Sequence, residues 1–288
     1  MNYSGVARSN QISVTSVLRF IDEIIDFSFI WNKPIKRIGI DGKGVSKRKQ
    51  IFNITNLDNN EVIGVFPNLS QEQLKTELLK VDFELRMVVE EVCIDMDRFF
   101  VAVIKECFPN AKIVIDHFHV IQWAVHLLKE EKNVFQDINN EPYRINQLLM
   151  IPTHRLKPEQ FKKLEEVFKK VPKLKKDWKT IHQLRRVYWQ KDREAGKKQL
   201  EYVISLCKES DSKYIYEDLA GTLTRWFDEI LNYYLSETTN AYTEGVHTRF
   251  ELLKRGHFGI RNIERFCKRL LFFMMPIEIF LNLLAQRC

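Results

Sequence analysis

The chain has 288 residues, of which 45% are hydrophobic and 29% are charged, so it is a globular protein that can bury a sizeable core. Lysine and arginine outnumber aspartate and glutamate by 45 to 38, and this basic balance favours a polyanionic partner such as nucleic acid. The five cysteines form no CxxC pair, which argues against a zinc cluster or a disulfide framework and suits a reducing cytoplasm.

Neither end of the chain predicts a membrane anchor. The segment Met1 to Gln11 is polar, unlike a signal peptide. The apolar segment Leu270 to Ala285 is interrupted by Pro276 and Glu278 and is too short to span a bilayer. It predicts a buried terminal helix.

The first 30 residues predict a small helical piece. Ser13 is placed to cap a helix whose inner face would carry Val14, Val17, Leu18 and Ile21. The pattern is typical of the latter part of a helix-turn-helix DNA reader. An amphipathic lead-in helix explains it equally well.

From Lys36 onward the pattern changes to strands and helices that alternate. Ser70 and Gln73 form a capping box for a helix running to about Lys80, and a second helix passes through Phe99, Val103 and Ile104. The predicted strands are Arg37–Asp41, Gln50–Leu57, Val62–Phe66, Val92–Met96 and Lys112–Ile115. Three antiparallel strands followed by parallel βα units predict a mixed α/β sheet with helices on both faces.

The stretch around Asp116 carries the clearest chemical signal. Asp116 follows the strand Lys112–Ile115 and precedes a helix, and His119 lies one helical turn further on. A carboxylate at the carboxyl end of a central strand points into the crevice where open α/β sheets bind ligands. Asp116 is therefore either a helix cap or a metal ligand, and the stretch alone favours neither.

A second carboxylate, Asp41, ends the first predicted strand. If the strands of Asp41 and Asp116 are adjacent and parallel, the two carboxylates meet at one edge, where a divalent cation would relieve their repulsion. The sequence therefore favours a Mg²⁺ site. Asp95 and Asp97 are rival ligands, because Asp95 also ends a strand.

Helical and strongly basic sequence fills the region from about Trp123 to Leu235. From Arg155 to Lys198 there are 16 Lys/Arg against 6 Asp/Glu, so the rest of the chain is net acidic. Aromatic residues are interleaved with these cations. The segment either binds a phosphate backbone or is a solvated helix face.

The last informative stretch runs from Thr239 to Asn262. Glu244, His247, Thr248 and Glu251 fall on one helical face, and cations follow densely. A carboxylate near a helix start beside such cations suits a metal ligand next to a bound phosphodiester. An amphipathic helix with an acidic first turn is the alternative.

Three blocks together resemble bacterial insertion-sequence transposases of the ISL3 type. They are Asp41, the block Ile115 to His119, and the stretch from Thr243 through Lys254 and Arg255 to Asn262. The resemblance spans about residues 35 to 275, and its last block is the most specific part. It implies a DDE transposase with a ribonuclease-H-like core and an all-helical insertion before the final glutamate.

The resemblance also implies roles for particular residues. Asp41 and Asp116 match the paired aspartates, Glu244 the glutamate, and His119 the histidine of an Asp-x-x-His element. Asp95 matches a recurring position outside this triad and ranks below it. The chain has Gly42 where the family usually has an acidic residue, and His247 where asparagine is commoner. Asp41, Asp116 and Glu244 would hold two Mg²⁺ ions, with Mn²⁺ as a substitute.

The implied partner is double-stranded DNA, as element ends and as target, bound by a homo-oligomer in a nucleoid-associated, cytoplasmic protein. The cations expected to contact DNA are Lys169, Lys170, Lys175, Lys176, Arg249, Lys254, Arg255 and Arg261. The predicted domains are a helix-turn-helix remnant (1–34), the first part of the core (35–122), the basic helical insertion (123–236) and the final part of the core (237–288). We expect no membrane partner.

Three activities remain open at this stage. The resemblance implies metal-dependent DNA cleavage and strand transfer. The family's cysteine-rich zinc-binding region and full helix-turn-helix are missing before the core, which predicts an N-terminally truncated copy that binds DNA but cleaves it poorly. A ribonuclease-H-like nuclease without strand transfer is the third possibility.

Overall fold

A computed structural model describes most of the chain, in two compact units. The described residues are 3–24, 29–46, 49–140, 142–209, 213–256, 262–276, 278 and 285. We call the first unit, residues 1–113 with 238–288, the core unit, and the second, residues 114–237, the helical unit. The division predicted from the sequence, with its boundaries at 34, 122 and 236, stays a prediction.

A five-stranded mixed sheet organises the core unit, in the order β3-β2-β1-β4-β5. The strands are β1 (Arg37–Ser46), β2 (Lys49–Asn56), β3 (Glu61–Pro67), β4 (Glu91–Ile94) and β5 (Lys112–Ile115). β1 pairs antiparallel with β2 and parallel with β4, and β2 pairs antiparallel with β3. β4 is buried throughout, as are residues 38–41 of β1 and 51–56 of β2, which is expected of strands covered on both faces. The predicted mixed α/β class is confirmed.

Two expectations about the strands are wrong. β1 does not end at Asp41 but continues to Ser46, because β2 offers it a partner along its whole length, with Asp41 opposite Asn53. Nor are the strands of Asp41 and Asp116 adjacent, because β4 lies between β1 and β5. The parallel pairing of β1 with β4 ends at Gly39 opposite Cys93, so Asp41 lies two residues beyond the last parallel pair.

Helices α1 to α5 belong to the core unit, and their caps explain their bounds. They are α1 (Tyr3–Ser9), α2 (Val14–Ile24), α3 (Gln71–Leu78), α4 (Phe83–Met87) and α5 (Arg98–Cys107). Ser70 and Gln73 form the predicted capping box of α3, Ser13 accepts the Ser16 N–H at 2.9 Å before α2, and Asp97 caps α5. Helix α4 has no clear signal in the sequence, because it is a single short turn.

Apart from Val114 and Ile115 at the end of β5, the regular secondary structure of the helical unit consists of helices and 3₁₀ turns over its described residues. They are α6 (His117–Ile138), α7 (Asn146–Met150), α8 (Pro158–Lys170), α9 (Pro172–Val187), α10 (Arg193–Lys208), α11 (Lys213–Arg225) and α12 (Phe227–Leu231), with 3₁₀ turns at Thr153–Arg155 and Asn232–Leu235. Pro158 and Pro172 occupy the first helical positions of α8 and α9, where a missing N–H costs nothing. α6 runs unbroken through the predicted boundary at 122/123.

The chain returns to the core unit with α13 (Ala241–Gly256) and α14 (Ile263–Met274). Phe250 of α13 and Leu270 of α14 pack with Ile51 and Val65 of the sheet in one buried cluster. Arg269 of α14 donates two hydrogen bonds to Asp22 of α2, at 2.9 and 2.6 Å. The N-terminal helix pair is thereby fastened to the same helix that covers the sheet.

The predicted terminal helix is described as far as Met274, and the part of that prediction beyond Pro276 falls almost wholly outside the described residues. Within the described part of the chain, no helix is long and apolar enough to cross a membrane.

Candidate active site

Asp41 occupies the position in the sheet where chemistry is expected. Its side chain is 3% exposed, and its Oδ1 accepts the Gly42 N–H at 2.6 Å. Because the parallel partner β4 has already ended its pairing, one side of β1 is open at this point. Open α/β sheets bind their ligands at such carboxyl ends of parallel strands.

Helix α13 contacts the sheet through small polar residues. The hydroxyls of Thr243 and Thr55 lie 2.7 Å apart, and Thr243 also donates to Asn240 Oδ1 at 2.8 Å. Gly39 makes this approach possible, because a Cβ at that position would collide with Asn240, Thr55 and Thr243. This contact could not be predicted from the sequence, since glycine, threonine and asparagine carry no chemical signature of their own.

His247, one turn after Glu244 on α13, joins the helix to Asp41. Its Nδ1 lies 3.5 Å from Asp41 Oδ2, and its Nε2 lies 2.8 Å from Asn53 Oδ1. Glu244 is half-buried, and its N–H donates to the Asn240 carbonyl at 3.0 Å. Residues three apart share a helix face, so Glu244 lies on the same face of α13 as His247, which contacts Asp41 of β1.

Asp95 also belongs to this end of the sheet. It directly follows β4 and is half-buried. In the parallel register Gly39 is opposite Cys93, so Asp41 and Asp95 hold corresponding positions on neighbouring strands. Asp97, the other rival, is exposed and accepts the Phe99 N–H at 2.8 Å, so it is a helix cap.

In the helical unit, Asp116 caps α6 with one carboxylate oxygen, and its other oxygen has no part in the cap. Oδ1 accepts the Phe118 N–H at 3.3 Å. The whole side chain is only 1% exposed, yet its buried Oδ2 has no hydrogen-bond partner among the described residues. The two roles that the sequence left open, cap and metal ligand, are therefore compatible, because they use different oxygens.

Two histidines flank Asp116. His119 Nε2 lies 4.0 Å from Asp116 Oδ2, and His117 Nδ1 lies 3.5 Å from Oδ1. His117 also packs against the rings of Tyr188 and Tyr233, at 5.3 and 5.6 Å. Burial lowers the pKa of His117, and the negative charge of Asp116 only partly offsets this effect. No signal in the sequence had assigned a role to His117.

The predicted DNA-contacting cations differ in their exposure to solvent and in whether they form an ion pair. Lys175 pairs with Glu165 at 2.9 Å, and Lys254 pairs with Glu251 at 3.6 Å. Lys169, Lys176 and Arg249 are exposed. The side chain of Arg255 and the whole of Arg261 lie outside the described residues.

The mixed sheet has a buried aspartate in its central strand, just beyond the parallel pairing, and a long helical segment precedes Glu244. These features define a ribonuclease-H-like α/β protein. The family model of the ISL3-type DDE transposases, described as transposase, matches residues 38–270. The match covers most of the chain, and the chain belongs to this family. Comparison with curated proteins finds no match. The resemblance seen in the sequence is confirmed, and the family implies an enzyme that acts on DNA.

Proposed function

We propose that the chain catalyses metal-dependent cleavage of DNA and strand transfer of an insertion sequence. Asp41, Asp116 and Glu244 would hold two Mg²⁺ ions, for which Mn²⁺ would substitute, and His119 would lie beside them. The observation that carries the proposal is the position of Asp41, which is buried just beyond the last parallel β1–β4 pair and contacts His247 of the helix that bears Glu244. Family membership supports DNA as the substrate.

The available donor atoms fit divalent cations. Asp116, His119 and Glu244 offer two carboxylates and an imidazole, and Asp41 adds a third carboxylate. Mg²⁺ prefers oxygen ligands and binds through a few carboxylates together with substrate phosphate. A buried carboxylate oxygen without a hydrogen bond, such as Asp116 Oδ2, costs free energy that a cation would recover.

The residues of the site would then have separate roles in the reaction. When bound, two such ions would stabilise the attacking and leaving oxygens of an in-line displacement. Water attacks a phosphorus at the element end and loses a proton to solvent, and the P–O3′ bond breaks to leave a 3′-OH and a 5′-phosphate. The freed 3′-OH then attacks a phosphodiester of target DNA, where the target's P–O3′ bond breaks and the departing 3′-oxygen takes up the proton that the attacking hydroxyl loses. His247 keeps Asp41 oriented by contacting both Asp41 and Asn53. His119 would orient Asp116 or contact the scissile phosphate.

One observation favours a different second aspartate. The β1–β4 register gives Asp95 a position beside Asp41 on the neighbouring strand, whereas Asp116 follows β5, one strand further away in the sheet order. Asp95 therefore competes with Asp116 for the role of the second carboxylate ligand. Asp116 and His119 would in that case form a separate element that orients DNA or a ligand.

The experiment compares single substitutions in a nicking assay on supercoiled plasmid with Mg²⁺ or Mn²⁺. We expect Asp41→Asn, Asp116→Asn and Glu244→Gln each to reduce nicking about 10³-fold, because each removes ligand charge worth several kcal/mol at the transition state. Asp97→Asn is the matched control and should retain full rate, since asparagine also caps helices. DNA binding should survive Asp116→Asn or become slightly tighter, because a negative charge near phosphate is removed.

Each result decides between the candidates. Full nicking by Asp116→Asn together with loss in Asp95→Asn would transfer the second ligand role to Asp95. Nicking that survives all four carboxylate substitutions would refute the proposed site. On a plasmid that carries the coding DNA with its flanks, joined products separate a transposase from a nuclease that only hydrolyses, and binding without any nicking identifies an inert remnant.

The proposal extends to the surfaces that hold DNA. Lys169, Lys170, Lys175 and Lys176 of the helical unit would contact backbone phosphates, as would Arg249, Lys254, Arg255 and Arg261 of the core unit. A homo-oligomer would bring two element ends together. The nucleoid-associated, cytoplasmic location stays a prediction.

A further inference from the structure

A cavity of about 760 Å³ opens in the helical unit, between the 3₁₀ turn Thr153–Arg155, α8 and α9. Its volume is in the range of pockets that bind small molecules or single nucleotides. It has no part in the carboxylate chemistry proposed above, and its lining combines aromatic rings with cations.

The rim of the cavity exposes aromatic rings to solvent. Trp189, just after α9, is 58% exposed, and Phe161 of α8 is 39% exposed. The ring of His154 contacts Trp189 edge-on, with the centroids 5.6 Å apart. This contact leaves much of the indole uncovered, and an exposed indole beside a cavity offers a flat surface on which a planar ligand can stack.

The wall of the cavity contains buried polar atoms that have no partner. Trp178 is 4% exposed, and its Nε1 has no hydrogen-bond acceptor in the part of the chain that the structure describes. His182, whose ring lies 4.3 Å from that of Trp178, likewise has an unpartnered Nε2. Buried polar atoms are nearly always hydrogen-bonded, so these two suit a polar ligand that enters the cavity.

His182 is electrically neutral when it lines this cavity. Burial, together with the positive charge of Arg185, lowers the pKa of His182 to about 4. A neutral imidazole offers one donor and one acceptor, which suits the polar edge of a nucleobase.

The cations of the cavity are on one face of α9. Lys179 and Arg186, seven residues apart, are both exposed, and neither has an ion-pair partner among the described residues. Lys175, in contrast, is neutralised by Glu165 at 2.9 Å. The cavity therefore has a net positive charge, concentrated on the side of Lys179 and Arg186.

We propose that this cavity binds one unpaired nucleotide of DNA, whose base stacks on Trp189 and whose phosphate contacts Lys179 and Arg186. The base must be unpaired, because a base inside a duplex stacks on its neighbours and exposes no face to a side chain. This inference rests on the proposed function, since it takes DNA as the bound polymer.

The test measures binding of the full chain to two labelled duplexes of the same sequence in EDTA, which prevents cleavage. One duplex is fully paired and the other ends in one unpaired nucleotide. We expect the unpaired end to bind about tenfold more tightly, as one stacked base predicts. Trp189→Ala should abolish this preference and change affinity for the paired duplex less than about twofold, whereas Trp189→Phe should retain most of it.

Matched controls separate the cavity from the general surface. Tyr202, on α10, is 50% exposed, and Tyr202→Ala should leave the preference unchanged. Lys179→Gln with Arg186→Gln should reduce the preference, and Lys162→Gln, an exposed lysine of α8, should not. A preference that survives Trp189→Ala, or equal weakening of both duplexes, would overturn this inference alone. Failure to bind either duplex would instead refute DNA as the partner.

Discussion

The core unit and the helical unit both bury carboxylates, but they surround them differently. Asp41 of the core unit accepts a backbone N–H at 2.6 Å and faces His247 at 3.5 Å. Asp177 of the helical unit is 1% exposed, and burial, together with the neighbouring Glu131, raises its pKa to about 8. Asp41 therefore has hydrogen-bonding and imidazole neighbours, whereas the surroundings of Asp177 favour its protonated form.

The neighbours of Asp177 show that its role is internal to the helical unit. Tyr216 lies beside it, and Lys173 pairs with Glu131 at 3.5 Å. The cations that would bind DNA are elsewhere, on the exposed faces of the same helices. Burial of an acid alone is therefore not evidence of a catalytic site.

The contact of α13 with the sheet should be the most sensitive part of the core unit. Gly39→Ala would place a Cβ against Asn240, Thr55 and Thr243, and overpacking of this kind costs about 3 kcal/mol. We expect lower stability in chemical denaturation and reduced nicking, because α13 carries Glu244.

Gly44→Ala is the matched control for Gly39→Ala, since Gly44 is in the same strand and a Cβ added there would meet nothing within 4 Å. It should be close to neutral. Equal destabilisation by both substitutions would show that strand propensity, rather than the approach of α13, sets the cost.

The buried acids should make the helical unit pH-sensitive. The pKa of Asp177 is near 4 when unfolded and about 8 when folded, so the folded state binds more protons between these values, and stability falls as pH rises through them. Asp177→Asn should flatten this dependence and raise stability at pH 8 by about 2 kcal/mol.

Hydrogen exchange of α6 and α9 at several pH values measures this effect within the helical unit. Asp218→Asn, on the exposed surface of α11, serves as the control and should leave the pH dependence unchanged. If stability rises from pH 4 to pH 8 in the unaltered chain, the retained proton does not exist.

The smallest expected effect concerns the basic surface of the helical unit. Replacing Lys169, Lys170, Lys175 and Lys176 with glutamine should weaken binding to all DNA sequences alike and reduce the salt slope by about 0.9 for each phosphate that is no longer neutralised. Lys175→Gln alone should matter least, because Lys175 already pairs with Glu165.

Lys105→Gln, an exposed lysine on α5 of the core unit, provides the comparison between the two units. It should leave the salt slope unchanged. An unchanged slope after the fourfold replacement would assign those lysines to a solvated helix face.

Local signals were sufficient for several parts of the molecule. The strand Lys112–Ile115 and the helix that follows were predicted at the observed residues, as was the capping box of α3. Asp116 caps that helix, which is one of the two roles that the sequence left open. Such features depend on side-chain periodicity and on hydrogen bonds between residues a few positions apart, so the sequence contains them directly. The family was recognisable for the same reason, since its blocks are short and contiguous.

Other features depended on partners distant in the chain. The full length of β1 was hidden, because the polar residues after Asp41 give no strand signal and are held by β2. The order of β1, β4 and β5 depends on long-range pairing, and this order makes Asp95 a candidate for the second carboxylate ligand. The raised pKa of Asp177 likewise results from burial and from the neighbouring Glu131, neither of which can be read from the linear sequence.

The sequence by itself determined the family, the mixed α/β class, the caps and the set of candidate carboxylates, because each follows from residue type and local spacing. Only the tertiary structure decided which groups are neighbours: His247 lies beside Asp41, Thr243 lies beside Thr55, and Trp178 lines the same cavity as Trp189. The physical reason is that hydrogen bonding, burial and charge act through distance in space, and that distance is set by packing between residues that the chain keeps far apart.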